Sequence, residues 1–272
     1  MWSCRIKDRI KQLHVKRSIL KQLPNPTIIA HRGASAHAPE NTLAAFELAV
    51  RQHADAIELD TKLSSDGHVV VIHDQTVDRT TLGSGKVKVL PLAALRQLDA
   101  GSHFDIAFKG EPIPTLGEVF EAVGQKILIN IELGILTPLV NPLPDKIAEI
   151  VQRHKLSRQV LFSSFNPISL LRIHRLVPEA PIALLSKPGQ VGAWARGFLG
   201  RLLIPYDILE PSVGDTTATL VEFAHRAKRR IFVYTVNRAE EMQRLFTWGV
   251  DGIFTDDPLL ARRILSTSER IV

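Results

Sequence analysis

The stretch Ile28-Ile29-Ala30-His31-Arg32-Gly33 opens a segment in which three apolar runs each end in ionisable residues. The second run ends in Glu58-Leu59-Asp60, and the third, Val69-Val70-Val71-Ile72, ends in His73-Asp74. Short apolar runs of this kind are typical of the buried strands of a parallel sheet. Because the carboxyl ends of parallel strands meet on one face of an α/β fold, we expect these ionisable side chains to share one pocket.

The alternation of strand and helix patterns continues along the 272 residues of the chain. Strands are predicted near residues 27–31, 55–61, 69–73, 127–132, 159–163, 181–185, 202–209, 231–235 and 252–255. Helices are predicted near residues 41–52, 115–123, 142–155, 167–176, 189–199, 216–228, 239–247 and 258–268. Repeated βα units over this length favour an α/β fold, a (β/α)8 TIM barrel. The run at 69–73 is one strand too many, and we expect it to pair with the second strand as a hairpin.

Residues 74–114 are predicted to be an insertion after the second strand. The segment is rich in glycine and proline, with one short helical pattern near 91–98. Because a connection of this length is usually functional or a small subdomain, we expect a cap over the mouth of the barrel. The barrel itself is expected to occupy residues 25–272, after an amino-terminal arm of residues 1–24.

The positive charge of the chain is concentrated in this arm. Residues 1–23 hold seven basic residues and one acidic residue, a net charge of +6, which equals that of the whole chain. Because residues 24–272 are balanced, a nucleic-acid-binding role loses its main support. Apolar residues recur in the arm at helical spacing and predict a basic amphipathic helix. That helix either contacts an anionic membrane surface or packs its apolar side on the barrel.

Processing signals are missing from the sequence as it stands. It contains no run of eighteen apolar residues and no apolar core of a secretory signal near its start. The single cysteine, Cys4, cannot form an internal disulfide. We therefore expect a cytoplasmic protein, with peripheral contact of residues 1–23 with the inner face of the membrane as an alternative.

Three carboxylates are predicted to converge inside the barrel. Glu58 and Asp60 are two residues apart on one strand, so both point to the same side and repel unless a cation or a proton neutralises them. Glu132 ends a later strand and could supply a third oxygen ligand. A set of carboxylates without cysteine suits Mg²⁺ or Ca²⁺. A buried acid paired with Arg or Lys is the alternative, which three converging carboxylates make less favourable.

Two histidines and an arginine extend this site. His31 and His73 each end a strand, and two imidazoles on opposite sides of a phosphate can act as general acid and base near neutral pH. The planar guanidinium of Arg32 matches two phosphate oxygens. These groups together predict metal-assisted chemistry on a phosphate ester.

The chain resembles the glycerophosphodiester phosphodiesterase family over roughly residues 26–265. The motifs that carry the resemblance are His31-Arg32-Gly33, Glu40-Asn41-Thr42, Glu58-Leu59-Asp60, His73-Asp74, Asp78-Arg79-Thr80-Thr81, Ile113-Pro114-Thr115-Leu116, Asn130-Ile131-Glu132, Ser164-Phe165-Asn166-Pro167, Thr235-Val236-Asn237 and Gly249-Val250-Asp251-Gly252-Ile253-Phe254-Thr255-Asp256. The resemblance implies hydrolysis of a small-molecule glycerophosphodiester to sn-glycerol 3-phosphate and an alcohol, through a cyclic phosphate. It assigns acid–base catalysis to the two histidines and the divalent cation to the three carboxylates.

Further residues are expected around the substrate. Arg32 would bind phosphate, Glu40 could orient Arg32 or His31 or touch the ion, and Asn41 is expected to cap the first helix. Tyr234 stands where the family usually has Trp and still offers an aromatic wall with a polar tip. Gly134 stands where the family usually has a Lys that reaches the phosphate, so that contact is either missing or supplied from elsewhere.

Residues 192–206 are more apolar than a loop around a polar substrate needs. We expect Trp194, Phe198 and Leu199 to pack as helix core, although they could instead line a membrane-facing surface. In that case the alternative function is lysophospholipase D-like hydrolysis of lysophospholipids at a membrane. A catalytically weak phosphodiester-binding barrel is a third hypothesis, against which the intact histidines and carboxylates argue.

Overall fold

Eight parallel strands close into a barrel. The computed structural model describes residues 19–134 and 142–268. The strands are β1 (Thr27–Ala30), β2 (Ala56–Leu63), β3 (Val69–Val71), β4 (Leu128–Leu133), β5 (Val160–Ser164), β6 (Ile182–Leu185), β7 (Ile208–Glu210), β8 (Arg230–Val233) and β9 (Gly252–Thr255). They pair in the order β1-β9-β8-β7-β6-β5-β4-β2, and pairing of β1 with β2 closes the ring. The predicted (β/α)8 TIM barrel is confirmed.

Helices follow the barrel strands, as the sequence pattern predicts. They are α1 (Leu43–Arg51), α2 (Leu92–Leu95), α3 (Leu116–Val123), α4 (Leu143–Arg153), α5 (Pro167–Leu176), α6 (Ala193–Arg196), α7 (Phe198–Leu203), α8 (Ala218–Arg226), α9 (Ala239–Thr247) and α10 (Pro258–Ser268). Thr115 and Glu118 form a reciprocal capping box that starts α3. The strand predicted at 202–209 is wrong in its first part, which ends α7, because a short apolar run does not distinguish helix from strand.

The amino-terminal half of the barrel interior is an apolar layer. Its members are Ile29, Ala56, Leu128, Leu161, Ala183, Ile208, Phe232 and Phe254. Ile19 and Leu23, which precede β1, are buried in the same cluster. The end of the predicted arm therefore packs on the barrel, and residues 1–18 lie outside the described residues. The apolar layer confines polar chemistry to the carboxyl-end half of the interior.

The same kind of aspartate–backbone hydrogen bond joins three pairs of neighbouring strands at the amino-terminal end of the barrel. Asp55, Asp207 and Asp251 each directly precede a strand (β2, β7 and β9). Each accepts a hydrogen bond of 2.8 to 3.0 Å from a backbone N–H of the preceding parallel neighbour, namely β1, β6 or β8. A carboxylate that accepts a backbone N–H forms a charge-assisted hydrogen bond. These contacts fix the register at the end opposite the predicted site.

The strand at residues 69–71 forms the predicted hairpin, since β3 pairs antiparallel with β2. The insertion that follows has a small apolar core of its own, made of Val70, Ile72, Val77, Val87, Leu95, Ala100 and Ile113. Glu111 accepts a hydrogen bond of 3.1 Å from the backbone N–H of Ala44 and attaches the insertion to the start of α1. The insertion thus borders the carboxyl-end face of the barrel.

Candidate active site

The three predicted carboxylates lie together. Glu58 and Asp60 are buried on β2, and Asp60 is in register with Glu132 on β4. One oxygen of each lies within 4.8 Å of the others. Burial, together with repulsion from the neighbouring acids, raises the pKa of Glu132 to about 8 and that of Glu58 well above its usual range. A hard divalent cation would relieve this repulsion, so the cluster fits such an ion.

Arg32 is held among carboxylates beside this cluster. Its backbone N–H donates to Glu58 Oε2 at 2.9 Å, and its Nη1 donates to Glu40 Oε1 at 2.9 Å. Its Nε lies 3.3 Å from Asp60 Oδ2, close enough for an ion pair but without hydrogen-bond alignment. Arg32 has a left-handed φ of 58°. The side chain is therefore a positioned cation at the edge of the cavity.

The glycine after Arg32 is required by its position. Gly33 has a φ of 83°, and a Cβ at this residue would lie 2.7 Å from the backbone and Cβ of Ala45. A side chain here would push α1 away from the end of β1. The close approach of α1 is what brings Glu40 and Asn41, which precede the helix, to the rim of the barrel.

Each predicted histidine is paired with an aspartate. His31 Nδ1 lies 2.7 Å from Asp256 Oδ1, and His73 Nδ1 lies 2.6 Å from Asp74 Oδ1. An ionised carboxylate only accepts hydrogen bonds, so each Nδ1 carries the proton and each Nε2 is the ring nitrogen that can accept one. Asp256 is a residue that the sequence reasoning did not assign, and it follows β9 directly.

Both aspartates are held ionised. Hydrogen bonds from Arg79 keep the pKa of Asp74 well below its usual range; burial opposes this effect, and the hydrogen bond from His73 makes a smaller contribution that lowers the pKa further. Burial opposes ionisation of Asp256, but hydrogen bonds from His31, Asn237 and Ser35 lower its pKa all the same. The two imidazoles therefore have fixed orientations and fixed tautomers.

Glu40 contacts Arg32, one of the roles expected for it, whereas Asn41 does not cap the first helix. Glu40 accepts hydrogen bonds from Arg32 and, at 2.6 and 2.8 Å, from Arg79, which bridges it to Asp74. Burial works against ionisation, yet the two arginines lower the pKa of Glu40 to about 2. The cap predicted at Asn41 is wrong. Thr42 caps α1, and Asn41 donates instead to Asp60 Oδ2 at 2.9 Å.

These groups surround a cavity of about 200 Å³ at the carboxyl end of the barrel. Six of the eight predicted site residues line it, namely His31, Arg32, Glu58, His73, Glu132 and Tyr234. Asp60 completes the carboxylate cluster, and Glu40 contacts Arg32 and Arg79. Phe165, Leu185, Asn130 and Glu210 also line the cavity and were not predicted as site residues.

Tyr234 forms an aromatic wall, as its position predicts. Its ring meets that of Phe165 edge to face, with 6.1 Å between centroids. Its hydroxyl donates to the Ser186 carbonyl at 2.6 Å, which ties the end of β8 to the end of β6. The Tyr234 hydroxyl therefore donates its hydrogen bond to the protein backbone.

Lys62 occupies space beside Gly134. It follows Asp60 by two residues on β2, shares its face, and is only 6% exposed. A Cβ on Gly134 would lie 3.4 Å from Lys62 Nζ and 2.5 Å from the Thr61 carbonyl oxygen. The backbone therefore leaves no room for a side chain at residue 134, and a cation from β2 lies beside that position instead.

The segment after β6 packs only in part. Ala195 and Ile204 are buried, but Phe198, Leu199, Leu202 and Leu203 are between 54% and 64% exposed. The expected packing of Phe198 and Leu199 as helix core is wrong, because α7 turns these side chains outward. No helix in the described parts of the chain is both long and apolar enough to cross a membrane.

The fold and the cavity define a TIM-barrel enzyme whose site suits a divalent cation and an anionic substrate. The sequence model of the glycerophosphoryl diester phosphodiesterase family matches residues 31–260. A glycerophosphodiester phosphodiesterase of Caldanaerobacter subterraneus subsp. tengcongensis is 43% identical over 232 residues, which cover 85% of this chain and 94% of that protein. One of Bacillus subtilis is 34% identical, covering 87% of this chain and 85% of that protein.

Solved structures agree with this result. A phosphodiesterase of Oleispira antarctica in complex with the product sn-glycerol-3-phosphate has a TM-score of 0.80 and 31% identity, covering 89% of this chain and 97% of that one. A glycerophosphodiester phosphodiesterase of Agrobacterium tumefaciens has a TM-score of 0.75 and 32% identity, covering 86% and 98%. The chain therefore belongs to the glycerophosphoryl diester phosphodiesterase family and is a phosphoric diester hydrolase.

Proposed function

We propose that this chain hydrolyses glycerophosphodiesters to sn-glycerol 3-phosphate and an alcohol, with His31 and His73 as the acid–base pair. The observation that carries the proposal is the arrangement of two His–Asp pairs and a carboxylate cluster around one cavity. Relatives named for this activity, and a related structure that holds sn-glycerol-3-phosphate, support the substrate class.

The divalent cation is assigned to Glu58, Asp60 and Glu132, with Mg²⁺ or Ca²⁺ as the candidates. Oxygen ligands from carboxylates suit both ions. When bound, the ion would offset phosphate charge and lower the pKa of a coordinated hydroxyl or water. Asn41 and the Arg32 side chain hold Asp60 in place, and the Arg32 backbone N–H holds Glu58.

The histidines would transfer protons through Nε2. One imidazole takes the proton of the hydroxyl that attacks phosphorus, and the other gives a proton to the alcohol oxygen as its bond to phosphorus breaks. Reversal of the two roles then lets water open a cyclic phosphate. Asp256 and Asp74 would stabilise whichever imidazole becomes protonated.

Phosphate binding is assigned to Arg32 and Lys62. Arg32 borders the cavity and keeps its orientation through Glu40 and Glu58. Lys62 follows Asp60 by two residues on β2, and its Nζ lies beside Gly134. We infer that Lys62 supplies the cation that residue 134 cannot provide.

A chelation experiment tests this reaction class. The purified full chain is stripped with chelator and then assayed on glycerophosphocholine with no ion, Mg²⁺ or Ca²⁺. We expect ion-restored release of glycerol 3-phosphate, lost in Glu132→Gln and kept in Glu222→Gln, which lies exposed on α8. A folded, ion-loaded protein that releases no glycerol 3-phosphate, or that cleaves the other ester bond and releases phosphocholine, would contradict the proposal.

The exposed apolar side chains of α7 favour a second candidate, hydrolysis of lysophospholipids at a membrane. Phe198, Leu199, Leu202 and Leu203 follow β6, whose last residue, Leu185, lines the cavity. An exposed apolar helix face suits an acyl chain or a membrane surface. In this case the basic arm would contact anionic headgroups at the inner face of the membrane.

Two substrates and two variants separate the candidates. Glycerophosphocholine and lysophosphatidylcholine are compared in the full chain, in Phe198→Ser/Leu202→Ser, and in Val89→Ser, an exposed apolar residue of the insertion. The membrane candidate predicts loss of lysophosphatidylcholine turnover in the α7 double variant only. Truncation should stop at residue 18, because Ile19 and Leu23 pack in the barrel. A preference for glycerophosphocholine that none of these changes alters would remove this candidate.

A further inference from the structure

Two buried polar side chains border the cavity without a partner in the described parts of the chain. Asn130 on β4 is 1% exposed, and Glu210 at the end of β7 is 0% exposed. Both amide atoms of Asn130 and both carboxyl oxygens of Glu210 are buried and lack a hydrogen bond to any described residue. Each side chain lines the cavity that holds the histidines and Glu132.

Several other polar side chains near the site have their partners. Asn41 exchanges two hydrogen bonds with Asp60, Thr61 donates to the Glu132 carbonyl, and Ser164 donates to the Leu133 carbonyl. An unpaired buried polar group costs about 1–3 kcal/mol. Two such residues in one cavity therefore indicate groups that await a ligand.

The position of the pair is the floor of the cavity. Asn130 follows Leu128 by two residues, and Glu210 follows Ile208 by two, so each lies one layer above a member of the apolar interior. Glu58 is in register with Asn130 and shares this layer, whereas Asp60 and Glu132 lie two residues farther along β2 and β4, so a ligand that enters from the carboxyl-end face passes Asp60 and Glu132 before it reaches the pair. The pair would contact the part of the ligand that is farthest inside.

The chemistry of the pair favours a neutral ligand group. Burial, aided by repulsion from Glu132, raises the pKa of Glu210 well above its usual range, and no described residue donates a hydrogen bond to its carboxyl oxygens. A neutral carboxyl and an amide each donate and accept hydrogen bonds. Hydroxyl groups have the same dual character, whereas a phosphate only accepts and an ammonium only donates.

We propose that Asn130 and Glu210 form a hydroxyl-binding subsite at the cavity floor, which holds the free hydroxyls of the glycerol unit and restricts the enzyme to phosphodiesters of polyols. The subsite rests on the proposed function, since the glycerol unit is the part of that substrate with free hydroxyls. Glu210 is then a specificity-determining residue that works by hydrogen bonding and not by charge.

Binding of two ligands tests the subsite without turnover. sn-Glycerol 3-phosphate and methyl phosphate share the phosphate, but only the first has hydroxyls. Calorimetry on the wild type, Glu210→Gln, Glu210→Leu and Leu185→Met compares both ligands in the presence of Mg²⁺. Leu185 lines the same cavity with an apolar side chain, so its variant reports a change of shape alone.

We expect Glu210→Leu to weaken binding of sn-glycerol 3-phosphate roughly 10- to 100-fold and that of methyl phosphate less than about threefold. Glu210→Gln keeps a donor and an acceptor and should stay within about fivefold for both ligands. Leu185→Met should change the two affinities in parallel. Glu210→Leu should also raise the melting temperature, because it replaces an unpaired buried carboxyl with an apolar group.

Equal losses for the two ligands in Glu210→Leu, or a melting temperature that falls, would overturn the subsite. So would a wild type that binds methyl phosphate as tightly as sn-glycerol 3-phosphate. These outcomes differ from failure of the proposed function. A protein that binds sn-glycerol 3-phosphate selectively but hydrolyses no glycerophosphodiester would keep the subsite and lose the reaction.

Discussion

The cavity has two walls whose side chains are held in different ways. The charged wall consists of His31, Arg32, Glu58, Asp60, His73 and Glu132 at the ends of β1 to β4, and the apolar wall consists of Phe165, Leu185 and Tyr234 at the ends of β5, β6 and β8. Most of the charged wall is fixed by hydrogen bonds and ion pairs, among them the two His–Asp contacts of 2.7 and 2.6 Å. The apolar wall is fixed by ring packing and one hydroxyl contact.

The difference between the walls suggests that the charged wall serves the reaction and the apolar wall serves substrate specificity. Proton transfer and ion binding need atoms held within fractions of an ångström, which hydrogen-bonded ionic groups provide. Apolar side chains set the shape of a pocket and can be exchanged with small energetic consequences. Activity should therefore depend on individual atoms of the charged wall but only on the side-chain volume of the apolar wall.

Removal of either imidazole should have the largest effect. We expect His31→Ala and His73→Ala each to lower kcat on glycerophosphocholine about 10²- to 10⁴-fold, because each would remove one member of the proposed acid–base pair. The matched control is His225→Ala. His225 makes the same kind of contact, 2.8 Å from Asp251, at the opposite end of the barrel, so its loss should leave kcat within about twofold.

The His225→Ala control also decides how a loss of kcat in the other two variants is interpreted. If all three histidine variants lost activity to the same extent, structural support and not proton transfer would explain the result. A folded His31→Ala or His73→Ala variant with nearly full activity would remove that histidine from the mechanism. Circular dichroism and melting temperature establish that each variant is folded.

Loss of the Lys62 cation should have the next largest effect. We expect Lys62→Met to raise KM and the inhibition constant of inorganic phosphate about 10- to 100-fold, since a charge-assisted contact contributes roughly 1.5–3 kcal/mol. Lys62→Arg should recover most of the affinity. Lys126→Met is the control, because Lys126 is exposed and bonds only the Ala122 carbonyl among the described residues. Unchanged phosphate inhibition in Lys62→Met would show that Arg32 suffices.

The strand pattern predicted the barrel because each strand is a short apolar run, and burial on both sides of a parallel strand requires such a run. Strand ends then predicted the site, since polar residues at those ends meet in space. The apolar run at α7 shows the limit of this reasoning. Phe198 to Ile204 has the composition of a buried strand, yet most of its large side chains lie on an exposed helix face.

Partners distant in the chain could not be predicted. Asp256 lies 225 residues after His31, and only closure of the barrel between β1 and β9 brings them together. Glu210 did carry a signal, because the run Ile208-Leu209-Glu210 ends in an ionisable residue like the runs that gave the other site residues. The helix cap was assigned one residue too early, since Asn41 and Thr42 have similar capping preferences.

Arg79 joins the insertion to the charged wall and should have a smaller effect. It donates to both Glu40 and Asp74, but its side chain is 48% exposed, so its contacts are screened by solvent. We expect Arg79→Ala to lower kcat about two- to fivefold through looser positioning of His73, with KM little changed. A loss as large as that of His73→Ala would instead place Arg79 in contact with substrate.

The smallest effect is on stability, and its sign follows from the pKa of Glu132. The folded pKa of about 8 lies above the ordinary glutamate pKa of 4.5, so between these pH values the folded protein holds a proton that the unfolded chain has released. Stability of the ion-free protein should then fall as pH rises from about 5 to 8. A drop of roughly 2–8 °C in melting temperature is expected.

Glu132→Gln should flatten this dependence, since it removes the titrating group, whereas Glu222→Gln should not. Addition of Mg²⁺ should raise the melting temperature more at pH 8 than at pH 5, because the ion binds the deprotonated carboxylates. Differential scanning calorimetry at fixed ionic strength measures both trends. If the melting temperature of the ion-free wild type did not change with pH, Arg32 and Lys62 would already neutralise the carboxylate cluster. Burial of the charged wall would then destabilise the folded protein no more than burial of the apolar wall does.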